Sequence, residues 1–143
     1  RGACQAMPTE AQHLRASIDC EPARAYAWLS VPESFPQWAA GLATSLREVD
    51  GEWVAETPFG AMRIRFSPPN EFGVLDHWVH PEVGGVIHVP LRVVPNGTGC
   101  ELILTLFRMP DMTDEKFAAD AELVRRDLRF AKKLLEYGPG RRQ

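Results

Sequence analysis

The strongest constraint on the fold is a change of period after Pro110. Phe117, Ala121, Val124, Leu128, Ala131 and Leu135 recur at three- and four-residue steps, which is one apolar stripe on a long helix. Thr113 supplies an N-cap, and Asp114 and Glu115 occupy the first turn, where the helix dipole favours acids. Lys132 and Lys133 fall in the last turn, and Gly138-Pro139-Gly140 stops the helix. A helix from 113 to about 137 runs on the order of 35 Å, enough to cross a whole sheet diagonally.

What precedes the helix is almost all strand. Gln12 to Asp19 alternates and reads as a first strand. Pro22, at a first helical position, opens a short helix to about Ser30 that carries Tyr26, Trp28 and Leu29. A second short helix, Ser34 to Ala40, turns Phe35 and Trp38 inward and ends at Gly41. Strands are then expected at 45–49, 52–58, 61–67, 74–80, 86–94 and 100–108. Asp50-Gly51 and Asn96-Gly97 are hairpin signals of type I′, and Phe59-Gly60 is a weaker one.

The hairpin turns predict which side chains share a face. With Asn96-Gly97 at the turn centre, Val93 faces Cys100, Leu91 faces Leu102, Val89 faces Leu104 and Ile87 faces Leu106. The opposite face then pairs Arg92 with Glu101 and His88 with Thr105. With Phe59-Gly60 at the other centre, Trp53 faces Phe66, Ala55 faces Ile64 and Thr57 faces Met62, while Glu56 pairs with Arg63 and Val54 with Arg65. Both hairpins give one apolar and one charged face, as in a sheet covered on one side only. On the strand 74–80 the more apolar set, Leu75, His77 and Val79, is placed inward. Pro90 marks the point where a bulge would shift this assignment.

Composition narrows the class. The chain has 143 residues, 45% hydrophobic and 24% charged, enough for one domain with a real core. A net charge of -3 gives no reason to expect nucleic acid, since the basic cluster Arg125-Arg126 to Lys132-Lys133 is interleaved with acids as on a solvated helix face. No apolar run is long enough to span a bilayer, and none near the N-terminus has the character of a signal peptide. Cys4, Cys20 and Cys100 lack CxxC spacing and read as free thiols, from which a cytoplasmic location is expected. Met7 reads as a natural start, leaving 1–6 as upstream sequence. The expected organisation is an N-terminal extension 1–11, one domain over 12–137 and a tail 138–143.

The order of one strand, two short helices, a run of antiparallel strands and a long final helix resembles the helix-grip fold of the START-like (SRPBCC) superfamily. That group includes polyketide cyclase/dehydrase-type, lipid-transport and Bet v 1-like proteins. The resemblance is carried by Glu21-Pro22-Ala23-Arg24-Ala25-Tyr26-Ala27-Trp28, Phe35-Pro36-Gln37-Trp38, Asn70-Glu71-Phe72-Gly73-Val74-Leu75-Asp76-His77 and Val89-Pro90-Leu91-Arg92-Val93, and it extends over about 12–137. It implies an α+β domain whose curved antiparallel sheet wraps the C-terminal helix around a cavity for a small hydrophobic ligand. Aromatic, polyketide-like and lipid ligands all fall within that class.

Trp38, Trp53, Thr57, Phe59, Ile64, Phe66, His77, Val89, Leu91 and Leu104 are the candidate lining residues. His77 is the candidate polar group, open to three roles: general acid–base catalyst, ligand hydrogen-bond partner or structural hydrogen-bonder. As a cyclase or dehydratase, the chain would use His77 as base, with Thr57 or a water as partner. Asp76 points to the other face and cannot orient His77. His77 and His80 also face opposite ways and His88 completes no convergent set, so no metal is expected, and no motif calls for a cofactor. Cys100 reads as a small core residue rather than a nucleophile. Trp78, Pro90, Ile103 and Phe107 share the outer face, where a patch of that kind could hold a second copy or a partner.

Overall fold

The computed structural model describes residues 8–138. The expectations for Cys4, Met7, Pro139-Gly140 and the tail 141–143 lie outside them. Along the chain come β1 (Ala11–Ile18), α1 (Pro22–Leu29), a 3-10 turn (Pro32–Ser34), α2 (Phe35–Trp38), β2 (Ser45–Val49), β3 (Glu52–Thr57) and β4 (Gly60–Phe66). β5 (His77–His80), β6 (Ile87–Val89), β7 (Leu91–Asn96), β8 (Gly99–Phe107) and α3 (Asp114–Tyr137) complete it.

All pairings are antiparallel, in the orders β1-β8-β7 and β2-β3-β4-β5-β6. The two ladders are joined: the Leu75 N–H donates to the Leu91 carbonyl at 2.7 Å and the Val93 N–H to the Gly73 carbonyl at 2.9 Å. Pro90 has no N–H to give, so the expected strand 86–94 is split there into β6 and β7. No residue is inserted at the break. His77 faces Val89 on one side of it and Val74 faces Arg92 on the other, which is one register. Gly73 makes this join possible. Its φ is +72°, and a Cβ there would collide with the Val93 carbonyl oxygen.

Two hairpin registers differ from expectation by two residues. The Asp50-Gly51 turn forms as read, with φ of 52° and 81° at its two central residues. In the β7–β8 hairpin, however, Asn96 faces Gly99, so Gly97 and Thr98 occupy the centre and only Gly97 has positive φ. That sign pattern belongs to a type II′ turn, and glycine is required at 99 because a Cβ there would lie 2.5 Å from the Ile18 carbonyl oxygen. In the β3–β4 hairpin Thr57 faces Gly60 around Pro58 and Phe59, since proline suits the first central position of a type I turn and glycine the closing one.

Moving both turn centres by one residue changes every partner but no face. Leu91 faces Leu104, Val93 faces Leu102, Trp53 faces Ile64 and Ala55 faces Met62. The expected Arg92–Glu101 pair does not form. Arg92 faces Ile103, and Glu101 instead takes Arg15 at 3.0 Å, Ser17 at 2.7 Å and Asn96 at 2.7 Å. Glu56 and Arg63 likewise part, to Arg47 at 3.6 Å and Glu52 at 3.3 Å.

The long helix is capped as read, Thr113 accepting from the Lys116 N–H at 3.0 Å. Phe117, Ala121, Leu128, Ala131 and Leu135 are buried and Val124 half-buried, so the apolar stripe faces the sheet. The helix packs along β1 and meets α2. Its C-terminal end is tied to the end of β1 by polar contacts. Lys132 donates to the Ser17 carbonyl at 2.6 Å, and buried Glu136 accepts from the Asp19 N–H at 2.7 Å.

This placement divides the interior into two halves. On β1, β7 and β8 the inward residues Leu14, Ala16, Ile18, Leu91, Val93, Leu102 and Leu104 are buried. On β3 and β4 the inward Ala55 and Ile64 are buried too, but Leu46, Trp53, Met62, Phe66, Ile87 and Val89 on β2, β3, β4 and β6 are only half-buried, and of these Leu46, Met62, Phe66, Ile87 and Val89 pack against the core.

Candidate functional site

His77 sits on the inner face of β5 between its cross-strand neighbours Phe66 and Val89, and it is 2% exposed. Its ring lies 5.2 Å from that of Phe35, edge to face, and 6.0 Å from that of Phe66. Burial pushes its pKa down to about 4, against the opposing pull of a hydrogen bond to the Leu75 backbone and the charge of Asp76. The imidazole is therefore neutral at pH 7. It can donate and accept hydrogen bonds but is a weak base there.

Trp38, at the end of α2, is 3% exposed and meets the same Phe35 ring edge to face at 5.6 Å. Its indole Nε1 has no hydrogen-bond partner, alone among the buried side-chain nitrogens and oxygens of the described residues. Phe35 thus joins the two polar groups, and it also touches Phe66 at 5.6 Å. It was absent from the expected lining. The signal was available, because Phe35 and Trp38 are three residues apart and share a helical face.

The ten candidate residues separate into an inner and an outer group. Trp38, Ile64, His77, Leu91 and Leu104 are buried, and Trp53, Phe66 and Val89 are half-buried on the inner surface. Thr57 and Phe59 are elsewhere, at the tip of the β3–β4 hairpin. The Thr57 hydroxyl donates to the Gly60 carbonyl at 2.8 Å and accepts from the Phe59 N–H at 3.1 Å, so it serves the turn. Phe59 is 74% exposed, with the Lys116 ammonium 5.1 Å above its ring. The turn shift described above brings Thr57 to the closing pair of the hairpin, while Phe59 stays in the turn where the sequence places it.

Asp76 lies across the sheet from His77, as alternation requires. Its Oδ1 accepts from the Leu91 N–H at 3.0 Å and Arg92 Nε at 2.8 Å, and its Oδ2 from Arg92 Nη2 at 2.9 Å. His88 Nε2 adds a contact at 3.1 Å. Burial opposes ionisation, yet the Arg92 fork, the backbone N–H and His88 together pull its pKa down to about 2. Next to it the His88 ring stacks on Trp78 at 5.0 Å, and the Arg65 guanidinium lies over the Trp78 ring, 4.5 Å from its centroid. Trp78, Pro90, Ile103 and Phe107 do face outward, but all are half-buried.

Among the described residues no three His, Cys, Asp or Glu side chains converge on one point. Cys20 and Cys100 are free and buried, and burial pushes the Cys100 thiol up to about 11, which keeps it protonated. A groove of about 780 Å³ runs outside, between β1 and α3, lined by His13, Arg15, Arg125, Arg129 and Lys132 among others. Its cations are already paired with Glu101, Glu122 and Glu136, and it is separate from the aromatic interior.

No family model matches the chain, and no curated protein matches its sequence. Solved structures do match its shape. The Aha1 dimer of Colwellia psychrerythraea aligns over 91% of this chain and 98% of its own at a TM-score of 0.72 and 12% identity. A START superfamily protein from Mycobacterium smegmatis aligns over 87% and 98% at 0.61 and 14% identity. Ara h 8.0201 aligns over 89% and 97% at 0.62 and 11% identity. At such identities the likeness speaks for the fold alone, and the fold is the START-like, Bet v 1-like helix-grip: a curved antiparallel sheet with a long C-terminal helix.

Proposed function

We propose that the chain binds a small, mostly apolar ligand between α3 and the inner surface of β2 to β6. The observation that carries this reading is the unequal interior. Leu46, Trp53, Met62, Phe66 and Val89 face inward yet stay half-buried beside the sealed Ala55 and Ile64, whereas on β1, β7 and β8 Leu14, Ala16, Ile18, Leu91, Val93, Leu102 and Leu104 are sealed and Leu106 is half-buried. Inward apolar surface left partly open gains free energy when something apolar covers it, on the order of 25 cal/mol per Å². The likeness to START and Bet v 1-like structures supports the same reading at the level of fold.

Binding without catalysis is the version we favour. A cyclase or dehydratase built on His77 would need a base near neutrality, and burial holds this imidazole near 4. Its expected partner Thr57 is engaged in a turn. Contact with a second copy through the outer face has less support, because Arg65 and His88 already cover much of Trp78. The free, buried thiols of Cys20 and Cys100 fit a reducing, cytoplasmic setting. No described helix is long and apolar enough to cross a membrane.

The test is titration with Nile red, an uncharged fluorophore, with mass spectrometry of whatever co-purifies. Saturable enhancement and recovery of an unaltered apolar molecule are expected. Absence of saturable binding would remove the proposal, and recovery of a converted molecule would favour the enzyme.

A further inference from the structure

We infer that the ligand presents an uncharged hydrogen-bond acceptor, a carbonyl oxygen on a flat apolar body, to the indole N–H of Trp38. This rests on the binding proposal above and adds the chemical class of ligand. Trp38 is 3% exposed and its Nε1 has no acceptor. Tryptophan can only donate, so the group cannot be satisfied by rotation or by a change of tautomer. A buried donor left unpaired costs about 1–3 kcal/mol, and that cost is recovered when an acceptor arrives.

The surroundings select the acceptor. A trapped water needs two to four polar partners, and the ring in contact with Trp38 is that of Phe35. A carboxylate or phosphate would need a buried cation. Among the described residues the buried polar ones are Ser34, Asp76, His77 and Glu136, and burial keeps His77 neutral. An anion would therefore stay uncompensated, whereas a neutral carbonyl would not. The half-buried Phe66, 5.6 Å from Phe35, offers a face for the apolar body.

Fluorene and 9-fluorenone share one skeleton and differ by a single carbonyl, so the pair isolates the inferred contact. Both are titrated into the full chain, with the indole N–H signals followed by NMR and that of Trp38 assigned through Trp38→Phe. Fluorenone should bind about 10-fold more tightly than fluorene, matching one buried donor gaining its acceptor. The Trp38 signal should move downfield with fluorenone only, and the preference should vanish in Trp38→Phe. Should that variant fail to fold, the Trp38 signal is assigned in the wild-type chain by its nuclear Overhauser contacts to the Phe35 ring, and that shift and the affinity ratio decide alone.

Equal affinities, a preference that survives in Trp38→Phe, or an unmoved Trp38 signal would overturn the inference. The last result is the one expected if the N–H points permanently at the face of Phe35. If Nile red binds but neither fluorene nor fluorenone does, the carbonyl class is wrong while binding stands. If Nile red fails too, the binding proposal falls and takes this inference with it.

Discussion

Asp76 is the residue on which the join between the two ladders depends. It stands opposite Pro90, the one position of that strand pair without an N–H, and its carboxylate takes the next N–H, that of Leu91, at 3.0 Å. Asp76→Asn removes the charge that holds the Arg92 fork and should cost about 2–3 kcal/mol in urea unfolding at pH 7. A loss below about 0.5 kcal/mol would mean that the cluster is decoration. The folded pKa is depressed, so this contribution is complete above the ordinary carboxylate pKa and is lost as pH falls through about 2. The sequence showed that Asp76 and His77 point to opposite faces, because alternation is local. It did not show Arg92 as the partner of Asp76. The segments 73–76 and 91–93 are joined through a long connection, and no turn of fixed length sets their register.

At the scale of elements, faces were legible and partners were not. A turn centre misplaced by one residue moves every partner by two and leaves inside and outside unchanged, which is why Leu91 and Leu102 are buried although they do not face each other. Thr57 was the candidate most affected, since the moved turn makes it the last residue of β3, facing Gly60 instead of Met62, while Phe59 lies in the turn under either register. The helix stripe was legible throughout, because its period needs no partner. Leu128, 1% exposed, should not tolerate aspartate. An unpaired buried carboxylate costs several kcal/mol against a total of about 5–15, so Leu128→Asp should unfold the chain, while exposed Arg129→Ala should change stability by about 0.5 kcal/mol or less. Circular dichroism on both variants checks this, and equal effects would contradict the stripe. The contact of α3 with the loop after α2 was not foreseen. There half-buried Asp127 accepts from the Gly41 N–H at 3.2 Å, and burial raises its pKa to about 6 despite that bond and Arg126. A raised carboxylate pKa means stability that is full below about 3.8 and lost as pH rises through 6. Asp127→Asn keeps an acceptor for Gly41 and removes the charge. It should add about 1 kcal/mol at pH 8, a figure reduced for partial solvation, and nothing at pH 3.5. Equal gains in urea unfolding at both pH values would contradict the assignment.

For the whole molecule, the order of elements alone pointed to the fold, and the structural likenesses agree. What the order could not supply is where the helix lies on the sheet. That depends on contacts such as Lys132 to the Ser17 carbonyl and Glu136 to the Asp19 N–H, formed by residues that in the sequence read as a solvated helix face. They hold α3 against β1 and leave the β2–β4 side less covered, which is the basis of the binding proposal. The decisive measurement is a map of backbone amide shifts as Nile red is added to the full chain. The account predicts shifts clustered at Leu46, Trp53, Met62, Phe66 and His77, with Arg15, Arg125 and Arg129 of the outer groove and Trp78 of the outer face unmoved. Shifts confined to that groove or that face would contradict it.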